Sequence, residues 1–143
     1  MGSYKQIVDA CRTAAAAVNP TGEFGHGRVV AVSQASIEGT FPYIALYPFN
    51  TTGGSVDDAT QRANPILIGF WEQDTPDSSM EEQEAIIDRM DTLADAFLLA
   101  LSEIIDVRNF TKEPQYQFYQ GTASGVAVQL EANVLGVCLW SMR

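Results

Sequence analysis

Apolar residues recur at two different intervals along this chain, and the change from one to the other marks out its elements. Ile7, Cys11, Ala14 and Val18 follow the spacing of a single helix face. They predict a first helix over Ser3–Val18, supported by the alanines at 14 to 17, the residue type of highest helix propensity. Asn19-Pro20-Thr21-Gly22 ends it, because proline cannot continue the hydrogen-bond ladder. A stronger helical pattern follows the breaker segment 74–79. Ile86, Met90, Leu93, Phe97, Leu101 and Ile104 form one core-facing stripe. Ser79 and Glu82 have the spacing of a capping box, and Glu81, Glu82 and Glu84 suit the positive end of the helix dipole. This main helix is predicted to run to about Ile105, a length of ~39 Å at 1.5 Å per residue.

Elsewhere the pattern is that of strands. The glycine-rich stretch 22–27 reads as a turn or loop, and Arg28-Val29-Val30-Ala31-Val32 as a strand from its β-branched content. Phe41-Pro42-Tyr43-Ile44-Ala45-Leu46-Tyr47-Pro48-Phe49 is a second strand, whose prolines suit a sheet edge or a strand terminus. A polar segment, 50–63, joins it to Pro65-Ile66-Leu67-Ile68-Gly69-Phe70-Trp71, giving a long β-hairpin. That loop exceeds what a hairpin needs, which fits either a functional loop or a disordered one. A turn is predicted over 109–114, then a strand at Gln115-Tyr116-Gln117-Phe118-Tyr119, a turn at 121–125, and a half-buried strand carrying Val126, Val128, Leu130, Ala132 and Val134. The order α-β-β-β-α-β-β predicts an α+β fold: a mainly antiparallel sheet of about five strands with two helices on one face. At 143 residues the chain fits a single domain, 1–143, with 135–143 as a C-terminal arm.

Charge narrows the function. Eighteen acidic residues against eight basic ones give −10, and the basic residues form no cluster. Nucleic-acid and anionic-membrane binding both draw on grouped Lys and Arg, so neither sequence-specific nucleic-acid binding nor membrane association is expected. An acidic protein can instead line a channel through which DNA passes, or the charge can serve solubility alone. No apolar run approaches the ~18 residues of a membrane span. Nothing after Met1-Gly2-Ser3-Tyr4-Lys5 has the apolar core of a signal peptide, and none is expected. Cys11 and Cys138 both sit among apolar neighbours and read as buried free thiols.

The search for chemistry yields little. His26 is the only histidine, so neither a catalytic triad nor a histidine-containing metal set has its parts. Gly121-Thr122-Ala123-Ser124-Gly125 lacks the serine position of a nucleophile elbow, and Gly22-Glu23-Phe24-Gly25-His26-Gly27 precedes a strand rather than a helix. Asp57-Asp58 and Asp74/Asp77 read as loop and helix-start acids rather than metal ligands. No enzymatic activity and no cofactor are expected. Two surface features stand out. Glu84, Asp88, Asp91 and Asp95 share one helix face opposite the apolar stripe, with Arg89 as the nearby cation; the face is either solvated or turned toward a basic neighbour or a lumen. Tyr43, Tyr47 and Phe49 alternate on one strand face against Ile44 and Leu46 on the other, while Phe70 and Trp71 point to opposite faces. Two helices cover one face of a sheet, so the aromatics of the other face are expected to be exposed until a partner covers them.

This layout resembles that of the tail-terminator and tail-completion proteins of tailed bacteriophages. The likeness rests on the N-terminal helix, the segment from Phe41 to Phe49, the hairpin into Ile66-Leu67-Ile68-Gly69-Phe70-Trp71, the long helix from Ser79 and the closing hairpin from Tyr116 to Val134. It spans about Tyr4 to Val134 and is a match of pattern and order rather than of an invariant motif. The resemblance implies a structural head-tail connector or neck subunit that assembles in the host bacterial cytoplasm and ends in the virion. It implies a closed homo-oligomeric ring that meets other neck or tail proteins. Tyr43, Tyr47, Phe49 and Trp71 on the sheet, Thr52, Asp57, Asp58 and Arg62 on the polar loop, and the acidic helix face are the candidate contacts. The apolar tail from Gly136 to Arg143 departs from the pattern as an added arm. An adaptor module of a bacterial system, or a small enzyme with a carboxylate site, fits the same composition.

Overall fold

A computed structural model describes residues 3–27, 41–50, 62–117 and 123–134 of the chain. The first helix, α1, spans Ser3–Val18 as its periodicity predicts and buries Ile7, Cys11 and Ala14. Asn19 closes it: its backbone N–H donates to Ala15 O, and its side-chain amide donates to Pro42 O at 2.8 Å. The glycine-rich stretch predicted as a loop is instead a strand, β1 (Glu23–His26), parallel to β2 (Tyr43–Leu46). Gly25 is needed there for close approach rather than for flexibility, since a β-carbon at this position would overlap the Tyr43 hydroxyl. The predicted strand at 28–32 lies outside the described residues.

Strand β3 (Arg62–Gln73) pairs antiparallel with β2 and, along its whole length, with β5 (Ala123–Val134). The strand order is β1-β2-β3-β5-β4, where β4 is Asp106–Gln117. β2 is therefore an interior strand. Pro42 and Pro48 flank it and mark its termini, so the edge placement is corrected and the terminus placement holds. The sheet is mixed but mostly antiparallel, and with the two helices found among the described residues it gives the expected α+β fold.

The main helix, α2 (Met80–Ser102), begins where the capping signal predicts: the Ser79 hydroxyl accepts the Glu82 backbone N–H at 3.1 Å. It stops at Ser102, short of Ile105. Ile104-Ile105-Asp106-Val107 is rich in β-branched residues, which lose rotamer freedom in a helix, and the chain enters β4 at Asp106. The predicted turn at 109–114 is absorbed into β4. Asn109 takes φ 53° and the register with β5 skips between Arg108 and Thr111, so the turn residue makes a β-bulge. Pro114 is accommodated because β4 is the last strand of the sheet.

Both helices pack on one face of the sheet. Ile44 and Leu46, Ile66, Ile68 and Phe70, and Val126, Val128 and Leu130 meet Ile7, Cys11 and Ala14 of α1 and Ile86, Met90, Phe97 and Leu101 of α2. At the centre Phe97 meets Phe70 edge-on, with ring centroids 5.2 Å apart. Both are fully buried. Phe97→Ala is expected to cost roughly 3–5 kcal/mol of unfolding free energy through lost burial and the cavity left behind. A fall in the urea midpoint with unchanged slope checks this; a cost below about 1 kcal/mol would contradict the packing described.

Candidate functional site

The face of the sheet away from the helices carries the predicted aromatic set, with a different outcome from the one expected. Tyr43 and Trp71 are 5% and 2% exposed within the single chain, and with Ala45 and Ala123 they form a second small core packed by Phe41 and Tyr47. The register explains part of this burial. Gly25, Ala45, Gly69 and Ala127 lie side by side across four strands, a row almost without side chains. A β-carbon at Gly69 would collide with the Trp71 indole, as one at Gly25 would with Tyr43. The rings thus lie along the sheet over the glycines instead of standing away from it. The expectation that these aromatics await a partner is corrected for Tyr43 and Trp71. Tyr47 is half-buried beside them.

Phe49 is also corrected: it packs on the helix side against the main core, stacked on Tyr4 with centroids 4.4 Å apart. Beside it His26 holds two elements together. Its Nδ1 lies 2.8 Å from Leu46 O, and its Nε2 lies 2.7 Å from the Tyr4 hydroxyl. A carbonyl can only accept, so Nδ1 carries the proton and Nε2 accepts from Tyr4. The only histidine of the chain thus fastens the start of α1 to β1 and β2. Thr52, Asp57 and Asp58 lie outside the described residues. Arg62 opens β3 opposite Val134.

The acidic stripe is divided. Glu84 and Asp88 are exposed, as the sequence suggests. Asp91 and Asp95 are bridged by Lys112 of β4, at 2.8 and 2.6 Å. Hydrogen bonds to Asp91 and then Asp95 raise the Lys112 pKa. Arg89, expected to offset the stripe, turns away and pairs through its guanidinium fork with Glu72 on β3. The stripe therefore faces the β4 side of the molecule. Lys112 is 17 residues from Asp95 in sequence, and no local spacing rule brings them together.

Two features were invisible to pattern reading. Asp74, at the end of β3, is buried and accepts the Ser124 hydroxyl at 2.5 Å and the Thr75 backbone N–H at 2.7 Å. Burial alone would push its pKa up, but the hydrogen bonds from Ser124, Ser78 and Thr75 outweigh it and hold the carboxyl below its ordinary value. The second is a groove of about 280 Å³ beside the end of α1, lined by Arg12, Ala15, Ala16, Pro20, Glu23 and Phe24 among others. Arg12 stands over the Phe24 ring, 5.6 Å from its centroid.

Among the described residues no three or more His, Cys, Asp and Glu side chains are grouped to hold a metal ion, and no helix is long and apolar enough to cross a membrane. No protein-family model matches the chain, and no curated protein matches it.

Two outcomes follow for titrating groups. Because the folded carboxyl of Asp74 ionises below the ordinary value of about 3.9, its contribution to stability is complete above about pH 5 and fades as pH falls through the folded value. Asp74→Asn is expected to cost about 1–3 kcal/mol at pH 7, and the gap from the parent should close toward pH 2 in urea titrations. A gap that does not vary with pH would refute this role. Burial pushes the Cys11 thiol up to about 12. In a Cys138→Ser background, an aromatic disulfide reagent should therefore leave Cys11 unmodified until denaturant is added, whereas rapid labelling of the folded protein would show that the thiol is accessible.

Proposed function

We propose that this chain is a ring-forming structural subunit of a tailed-phage virion, acting at the head–tail junction as a tail terminator or neck protein. The observation that carries the reading is the pair of unlike flanks on one sheet. β1 lies under α1 at one end, and β4 lies under the acidic side of α2 at the other. A closed ring requires a heterologous interface, in which one surface of a subunit meets a different surface of the next. Among the described residues, one broad face of the sheet carries the main core and the other a small aromatic core, which directs such contacts to the flanks. The described residues follow the order of helices and strands on which the phage resemblance rests. In this role the surplus of acid lets DNA pass the ring without being held, because phosphate is repelled rather than neutralised.

Size-exclusion chromatography with light scattering tests the ring: the expected mass is an integer multiple of 15.6 kDa, with closed rings in negative-stain images and no retention of duplex DNA at moderate salt. A chain that stays monomeric at every concentration and is absent from purified particles would refute the proposal.

A further inference from the structure

The two ends of the sheet differ in what their open edge offers to another chain. β1 is the first strand and is four residues long, and so short an edge gives an incoming strand little to pair with. β4 is the last strand among the described residues and runs for twelve, roughly 40 Å at 3.3 Å per residue. One side of it is paired with β5, and the main chain of its other side has no strand partner among the described residues. Phe110 and Tyr116 on it are 50% and 45% exposed. A flat strand of this length, carrying such side chains, is a template to which a second copy adds. We infer that Asn109 and Pro114 close this edge: the bulge at the first and the missing N–H of the second keep β4 of one copy from pairing with a strand of another. The inference does not rest on the ring reading. It assigns the contacts of this flank to side chains and not to extension of the sheet.

The two residues interrupt different parts of the strand. Arg108 and Thr111, three residues apart in β4, face Glu131 and Gln129, two apart in β5. The extra residue bends the strand and increases its twist, so 106–108 and 111–117 do not present one straight row. Asn109 sits there at φ 53°, a backbone region that asparagine enters more readily than most residues. Its side-chain amide donates to the Glu131 carboxylate at 3.2 Å. A strand added from outside would need a matching irregularity. Pro114 acts on the second stretch. The register runs unbroken through Glu113, Pro114 and Gln115, opposite Ala127, Val126 and Gly125. Proline is tolerated in such a ladder with its nitrogen on the open side, where an incoming carbonyl meets the ring instead of a donor. Both residues are exposed. The core contact of this strand is made by Val107, and its link to α2 by Lys112 with Asp91 and Asp95.

The test opens the edge in the full chain. Deletion of Asn109 together with Pro114→Val gives an uninterrupted strand with every donor restored. This variant is expected to associate beyond the parent, with at least about a tenfold gain in association constant, read by light scattering over a concentration series. Hydrogen exchange should show the amides of β4 newly protected in the associated form. Gln129→Val adds an apolar β-branched side chain to an exposed position of the interior strand β5 and should leave the mass unchanged, which separates edge pairing from general stickiness. A folded double variant with the parent's mass at every concentration overturns the inference. So does association that leaves the β4 amides exchanging at the parent's rate, an equal gain in mass with Gln129→Val, or protection of the open side of β4 in the parent's own assembly. If the deletion abolishes the cooperative urea transition, Pro114→Val alone decides. It changes one exposed position, so the fold should survive. A smaller gain in association with β4 protected supports the inference, and the parent's mass overturns it.

Discussion

The antiparallel ladder between β3 and β5 is the constraint on which the rest of this molecule depends. All twelve residues of β3 are in register with β5, and in such a ladder alternate side chains must point to opposite faces. The register sends Ile66, Ile68 and Phe70 with Val126, Val128 and Leu130 toward the helices, and Gly69 and Trp71 with Ala127 to the other face. A slip of one residue would exchange the two sets and leave α2 with no apolar surface to cover. Polar contacts pin the two ends: Asp74 to Ser124 at one, and the Asn64 amide to Ala132 O at the other. Both lie in buried surroundings, where a lost partner costs most.

Much of this architecture was legible because it depends on periodicity. The stripe of α2 from Ile86 to Leu101, the Ser79 cap and the alternation of β5 are properties of near neighbours and appear where the spacing predicts, whereas Ile104 falls beyond the helix and is 47% exposed. The errors share one cause: residues read as punctuation were serving tertiary geometry. Gly25 belongs to a stretch with the composition of a turn or loop, but it makes room for Tyr43. Asn109 is a residue type that favours turns, but here it makes a bulge inside a strand. Alternation would place Phe49 with Tyr43 and Tyr47, but β2 ends at Leu46 and alternation no longer applies beyond it. For the candidate surfaces, the sequence showed the acidic stripe but not its orientation, because Lys112 and Asp95 meet only through the fold. The groove was equally hidden, since it is built from the end of α1 and the start of β1.

The charges of the chain divide between holding the fold and facing outward. Arg89 and Lys112 tie α2 to β3 and β4 and use up Glu72, Asp91 and Asp95. Pairs this exposed contribute little to stability. Their larger effect is orientational, since they fix which side of α2 turns toward β4. Glu84 and Asp88 keep their charge toward solvent, so the net −10 of the chain is unevenly distributed over its surface.

The row of small residues beneath Tyr43 and Trp71 has a consequence for how the sequence can vary. Each ring occupies the space that a side chain at Gly25 or Gly69 would fill, so the members of each pair share one volume. A larger residue at 69 is tolerable only alongside a smaller one at 71, and the two substitutions would not add. Across divergent copies of this protein, these positions should change in step or not at all. The aromatic cluster on the second face would then evolve as a unit, while exposed positions of the same face such as Gln129 vary independently.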